Sequence, residues 1–130
     1  MKVVELDTGA RNAIAFRAVC GEEVCGSLRA FRTTVRGRTV YTVARVDVSP
    51  EHQRKGIATR LYEAAHAEAC RRRARLASTE RNPGAHSNDF WRKQEARGRV
   101  EVSEGRFGPV YVVKSCETRD LSGWKKRRRR

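Results

Sequence analysis

The sequence predicts an α/β domain of the α+β type, with a mixed, mostly antiparallel central sheet flanked by two main helices. Two observations carry this expectation. Apolar and polar residues alternate through three consecutive runs between Ile14 and Val48, the pattern of half-buried strands. After Gly56 the spacing lengthens, with Ile57, Leu61, Ala65 and Ala69 recurring at the spacing of one helix face. A chain of 130 residues is enough for one such core and short for two. We therefore expect a single domain over residues 1–116 and a basic, flexible C-terminal tail over 117–130.

The elements follow in order. Lys2–Leu6 reads as a short strand, and Asp7–Asn12 as a turn. Ile14, Phe16, Ala18 and Cys20 mark a half-buried strand, and a second run carries Val24, Gly26, Leu28 and Ala30 on to Val35. After Arg36-Gly37-Arg38, a third run places Val40, Thr42, Ala44, Val46 and Val48 on one face, completing an antiparallel meander. Pro50 ends it, because proline has no N–H to give a ladder. The helix from Gly56 buries its Ile57–Ala69 stripe together with Ala58 and Tyr62, leaving His66 on its surface. Arg71-Arg72-Arg73 then reads as a solvated end that suits the negative pole of the helix. Leu76–Thr79 forms a short strand that Arg81-Asn82-Pro83-Gly84 breaks. Asn88 to Arg97 forms a second helix stopped by Gly98, and two strands follow around Ser103-Glu104-Gly105-Arg106.

Charge narrows the partners. There are 29 basic against 15 acidic residues, a net charge of +14. Removing the six charges of Lys125–Arg130 from that total leaves +8, so the body of the domain is basic too. Anionic partners are favoured. No stretch has the apolar length of a membrane span, and the first residues lack the layout of a secretory signal, so a cytoplasmic protein is expected. Cys20, Cys25, Cys70 and Cys116 form no CxxC pair, and no Cys/His spacing suits a metal. No metal is expected. Cys20 and Cys25 could face each other across a hairpin, but free, structural thiols are expected in a reducing compartment.

One segment carries chemistry. Gln53-Arg54-Lys55-Gly56-Ile57-Ala58 lies between the Val46-Asp47-Val48 strand and the mouth of the first helix. A glycine at the tightest point lets several N–H groups face one anion, and the helix adds the positive end of its dipole. Arg54 and Lys55 add charge. The plainer reading is a turn whose Gly56 permits tight strand-to-helix packing.

With this order of elements, a VxV strand before QxxGxA resembles the GNAT superfamily of acetyl-CoA-dependent N-acetyltransferases. Gln53, Gly56 and Ala58 fit its [RQ]xxGx[GA] signature. Val24-Cys25-Gly26 is similar to its hydrophobic-x-Gly early in the third strand, and Asn82 to Gly98 to its NxxAxxxYxxxGF segment. The resemblance spans most of residues 13–113 and implies a GNAT-like acyl-CoA N-acyltransferase fold. It implies that Val46 and Val48 offer backbone groups to the acetyl carbonyl and pantetheine arm. The pyrophosphate of acetyl-CoA would then rest on the amides from Gln53 through Arg54, Lys55, Gly56, Ile57 and Ala58 to Thr59, with Asn82 and Trp91 as further cofactor contacts.

Two departures bear on catalysis. The family places two helices between its first and second strands, where this chain has only Asp7–Asn12, so the acceptor side is open, lined by other loops, or completed by a second subunit in a homodimer. Phe90-Trp91 stands where the family tyrosine that protonates the leaving thiolate is common. Trp91 then either packs on the cofactor or belongs to the core. Attack of an amine on a thioester needs an oxyanion donor, met by an N–H near Val48, and a base, for which Asp47 and Glu80 are candidates. Tyr111 is the candidate phenol. The expected function is acetyl transfer from acetyl-CoA to a primary amine. The alternative is a weakly catalytic acetyl-CoA-binding module that binds nucleic acid or another polyanion through its basic surface and Lys125–Arg130.

Overall fold

The structure, a computed structural model, describes residues 1–79 and 86–117. Among these residues seven strands form one sheet. They are β1 (Lys2–Leu6), β2 (Ala13–Cys20), β3 (Glu23–Val35), β4 (Arg38–Val48), β5 (Arg75–Thr79), β6 (Val100–Gly105) and β7 (Gly108–Val113). Helix α1 (Ile57–Arg71) links β4 to β5, and α2 (His86–Ala96) precedes β6. The strand order is β1-β2-β3-β4-β5-β7-β6, and β4–β5 is the parallel pair in an otherwise antiparallel sheet. A helical crossover explains that exception, since parallel neighbours need a long connection where antiparallel ones need only a hairpin. The expected fold class and order of elements are those observed.

Both helices pack on one face of the sheet. The stripe Ile57, Leu61, Tyr62, Ala65 and Ala69 is buried against Ile14, Phe16, Leu28, Ala30, Tyr41 and Leu76, and Trp91 of α2 completes the cluster. On the other face Val40, Ala77 and Val112 form a smaller cluster. No helix covers that face among the described residues.

Four expectations are corrected. Val40 to Val48 do not share a face, because Arg29 pairs with Arg45 while Ala30 pairs with Val43, leaving Ala44 as a bulge residue. Beyond the bulge Val46 and Val48 turn to the helix-covered face, with Tyr41 and Val43, while Val40 stays on the other. His66 is buried rather than on the helix surface, 3% exposed. Its ring bridges the Leu76 amide and the Ser115 carbonyl.

Arg72 is no solvated terminus. It donates to the carbonyls of Arg11 and Ala13, both at 3.0 Å, ion-pairs with Glu68 at 2.9 Å and lies 5.4 Å over the Tyr41 ring. It thereby ties the β1–β2 turn to the end of α1. The cysteines are paired, Cys20 with Cys25 and Cys70 with Cys116, with Cα atoms 5.8 and 5.7 Å apart. The β2–β3 hairpin sets the first pair side by side, and the return of the chain past β7 to the end of α1 creates the second. That second approach has no signal in local sequence spacing.

The Arg72–Glu68 contact has a pH signature. Burial alone would push the Glu68 carboxyl up, but hydrogen bonds and charge from Arg72 and Arg71 hold it below the usual carboxylate range. A carboxylate depressed on folding contributes stability above its unfolded pKa and loses it as pH falls through the folded one. The melting temperature of the parent should therefore exceed that of Glu68→Gln at neutral pH, and the gap should close on acidification through the carboxylate range. A gap that persists or widens in acid would rule this out.

Candidate functional site

The site begins where the sheet opens. β4 pairs with β5 only over Val40–Thr42 and Arg75–Ala77, whereas β5 continues beside β7 as far as Thr79. The β5-facing edge of Val43–Val48 is thus without a strand partner among the described residues, and the Ala44 bulge marks where the strands part. Val46 and Val48 pack their side chains on the core, so their backbone lines this V-shaped opening.

The loop after β4 carries the chain from the opening to α1. The Ser49 amide donates to the Cys25 carbonyl at 3.0 Å, and a single 3-10 turn follows over Pro50–His52. Ser49 Oγ and His52 Nδ1 lie 2.8 Å apart and fix that turn, a contact that sequence spacing did not reveal. Gln53 Nε2 donates back to the Val48 carbonyl at 3.1 Å, so this side chain braces the loop. Arg54 and Gly56 then adopt left-handed backbone, with φ of 66° and 81°.

Gly56 is the N-cap of α1 and supplies no side-chain cap, and the first turn holds no acidic residue. The first N–H groups of a helix lack intrahelical partners, so those of Ile57, Ala58 and Thr59 are left for an anion. Arg54 and Lys55 are exposed beside them. A Cβ at Gly56 would meet nothing within 4 Å, so the N-cap of α1 is open to solvent. This donor set fits a pyrophosphate.

Gly26 on β3 seats the helix. A Cβ there would come within 3.1 Å of the Asp47 carbonyl oxygen and of Ile57 Cγ2, and 3.3 Å of Leu61 Cδ1. Only a bare backbone lets α1 settle this close to the end of β4. Gly26→Val should destabilise the fold by about 1–3 kcal/mol through overpacking. It should also weaken acetyl-CoA binding by shifting the first turn of α1. Urea unfolding and calorimetric titration would check both, and unchanged stability would show that the contact is not tight.

The other candidates are distributed as follows. Asp47 is exposed on the face opposite the helices and ion-pairs with Arg45 at 2.7 Å, beside the opening. Tyr111 is buried on β7 opposite Ser78. Trp91 is fully buried, with ring centroids 5.0 Å from Phe90, 5.1 Å from Tyr62 and 6.2 Å from Tyr111. In this arrangement it is a core residue, and its indole Nε1 has no hydrogen-bond partner among the described residues. Glu80 and Asn82 lie outside the described residues, as does Lys125–Arg130. No cluster of His, Cys, Asp or Glu suited to a metal occurs among the described residues, and no described helix is long and apolar enough to cross a membrane.

The site is thus a parted parallel pair with an uncapped helix N-terminus at its mouth. Residues 11–95 match the family described as acetyltransferase (GNAT) domain, and the chain belongs to that family. No curated protein sequence gives a significant match. Among solved structures, the chain is similar to an aminoglycoside N-acetyltransferase, AAC(6')-Iy, in complex with CoA. The TM-score is 0.65 at 17% identity, covering 82% of this chain and 96% of that one. It is similar also to the aminoglycoside 6'-N-acetyltransferase AAC(6')-IG from Acinetobacter haemolyticus, with a TM-score of 0.63, 16% identity and coverage of 81% and 94%. A ribosomal-protein-alanine N-acetyltransferase from Brucella melitensis biovar Abortus 2308 gives 0.56 at 20% identity, covering 64% and 62%. At these identities the likeness is one of fold.

Proposed function

We propose that the protein transfers acetyl from acetyl-CoA to a primary amine by direct attack on the thioester. The observation that carries this reading is the uncapped, left-handed entry of α1 at the mouth of the β4–β5 opening. Acetyl-CoA supplies an activated acetyl group. The amides of Ile57, Ala58 and Thr59 would hold its pyrophosphate, with Arg54 and Lys55 adding charge. The unpaired edge of Val46–Val48 would hold the acyl arm, and an N–H near Val48 would polarise the acetyl carbonyl. Asp47, beside the opening on the helix-free face, would take the proton of an incoming ammonium, directly or through water. Glu80 remains a second candidate base. Tyr111, buried on β7, is the candidate proton donor to the departing thiolate.

The net charge of +14 repels polycations, so a neutral or anionic amine is expected to be a better acceptor than an aminoglycoside. Calorimetric titration of acetyl-CoA tests the cofactor, and thiol release across an acceptor panel that includes aminoglycosides and acidic peptides tests the rest. Failure to bind acetyl-CoA would remove the reading altogether.

One observation favours a second reading, binding of nucleic acid or another polyanion. Arg29 sits directly opposite Arg45 on the helix-free face, and with Arg45 ion-paired to Asp47 at 2.7 Å the exposed Arg29 adds net positive charge there. Phe31, 38% exposed, lies on the same face. Salt-dependent binding of single-stranded nucleic acid, lost in Arg29→Glu with acetyl-CoA affinity retained, would support it.

A further inference from the structure

The Cys70–Cys116 disulfide joins the last turn of α1 to the chain just beyond β7, and its two sulfurs have opposite surroundings. Cys116 is exposed and Cys70 half-buried. His66 lies one turn before Cys70. The Leu76 peptide N–H donates to its Nδ1 at 3.3 Å, and a peptide nitrogen can only donate, so Nδ1 is bare and Nε2 carries the proton. That Nε2–H is donated to the Ser115 carbonyl at 3.1 Å, and Cys70 Sγ lies against the ring, 3.6 Å from Nε2 and 4.0 Å from the bare Nδ1. Cys116 Sγ instead lies 3.7 Å from the carbonyl oxygen of Ala74. One sulfur thus faces an imidazole whose donor nitrogen is nearer than its acceptor nitrogen, and the other faces a carbonyl acceptor, so negative charge is favoured on Cys70 over Cys116.

The wider surroundings are mostly basic. Arg71 and Arg73 flank Cys70 in sequence, Arg75 opens β5, and Lys114 follows β7. Against these stand Glu68, already paired with Arg71 and Arg72, Glu117 and the negative pole of α1. Burial lowers the His66 pKa, the Ser115 carbonyl opposes this and the Arg75 charge adds to it, so the imidazole remains a neutral donor near pH 7. The hairpin pair has no comparable arrangement. Cys25 is 1% exposed, and no histidine hydrogen bond reaches Cys20 or Cys25 among the described contacts.

We propose that Cys70–Cys116 is a thiol–disulfide exchange site for low-molecular-weight thiols such as glutathione or coenzyme A. The incoming thiolate attacks Cys116 Sγ, and the S–S bond breaks with its electron pair leaving on Cys70 as thiolate beside the His66 Nε2–H. A mixed disulfide then sits on Cys116. A second thiolate attacks the small-molecule sulfur of that mixed disulfide, releasing Cys116 as thiolate and the oxidised small-molecule disulfide. Two thiols are oxidised for one protein disulfide reduced. Reduction frees the end of β7 from its covalent tie to α1.

The test titrates the full chain with glutathione redox buffers, followed by alkylation and mass mapping. Cys70–Cys116 should open while Cys20–Cys25 stays closed, and any trapped glutathione should map to Cys116. Single variants separate the sulfurs, because Cys116→Ser leaves the Cys70 thiol and Cys70→Ser leaves the Cys116 thiol. In iodoacetamide rate against pH, Cys70 should ionise below Cys116. His66→Asn in the Cys116→Ser background should move the Cys70 profile upward. Glutathione on Cys70, opening of the hairpin pair first, or a Cys70 thiol that ionises at or above Cys116 would each overturn the proposal. The single-thiol profiles remain decisive if the His66 variant fails to fold.

Discussion

Gly56→Glu should weaken acetyl-CoA binding by roughly a hundredfold or more. A carboxylate within about 4 Å of a phosphate costs on the order of 2–4 kcal/mol at the effective dielectric of a protein surface. The left-handed backbone, with φ of 81°, adds a second penalty. A side chain held there costs about 1–2 kcal/mol of folding stability, whatever its charge. Gly56→Ala separates the two effects. It should lose the stability increment while keeping much more of the affinity, since its Cβ enters open space. Calorimetry gives the affinities and thermal melts the stabilities. Undiminished binding by the Glu variant would mean that the pyrophosphate rests elsewhere.

Removing the long-range disulfide should have the next largest effect. Cys70 and Cys116 are separated by 46 residues, against 5 for Cys20 and Cys25. Closing the longer loop restricts the unfolded chain more, about 4 kcal/mol against about 2 kcal/mol in the chain-entropy account. Cys70→Ser with Cys116→Ser should therefore lower the melting temperature by roughly 15 °C for a domain of this size. Cys20→Ser with Cys25→Ser should lower it by about half as much. An equal or reversed order would show that local packing, rather than loop closure, sets the contribution of each bridge.

The elements were legible wherever their signal is local. The stripe Ile57, Leu61, Ala65 and Ala69 is the buried face of α1, and Gly56 stands where helix and loop meet. In β3 the alternation holds from Ser27 to Phe31, but in β2 it shows only from Phe16 to Ala18, because Ala13 to Phe16 are buried in succession on both faces. What escaped was set by distant partners. His66 reads as a surface residue on its own helix, and becomes buried because β5 and the end of β7 close over it. Arg72 belongs to a run of three arginines in sequence, yet the β1–β2 turn singles it out through two carbonyls. Neither contact has a local sequence signature. The loop from Gln53 to Thr59 was legible because its geometry follows from a glycine at a fixed place between strand and helix. The choice among Asp47, Glu80 and Tyr111 was not, because it depends on which side chain reaches a substrate across separate strands.

Ala44 works as a phase inverter. Before it, even-numbered residues of β4 face away from the helices, and after it they face toward them. One strand can therefore serve two interiors, lending Val40 to one and Val46 and Val48 to the other. Deleting this single small residue would restore strict alternation and exchange the two halves' roles, turning Val46 and Val48 toward solvent and Asp47 in beneath α1. The constraint on length at this point lies in the register of β4 against β3, and Ala44 itself is exposed.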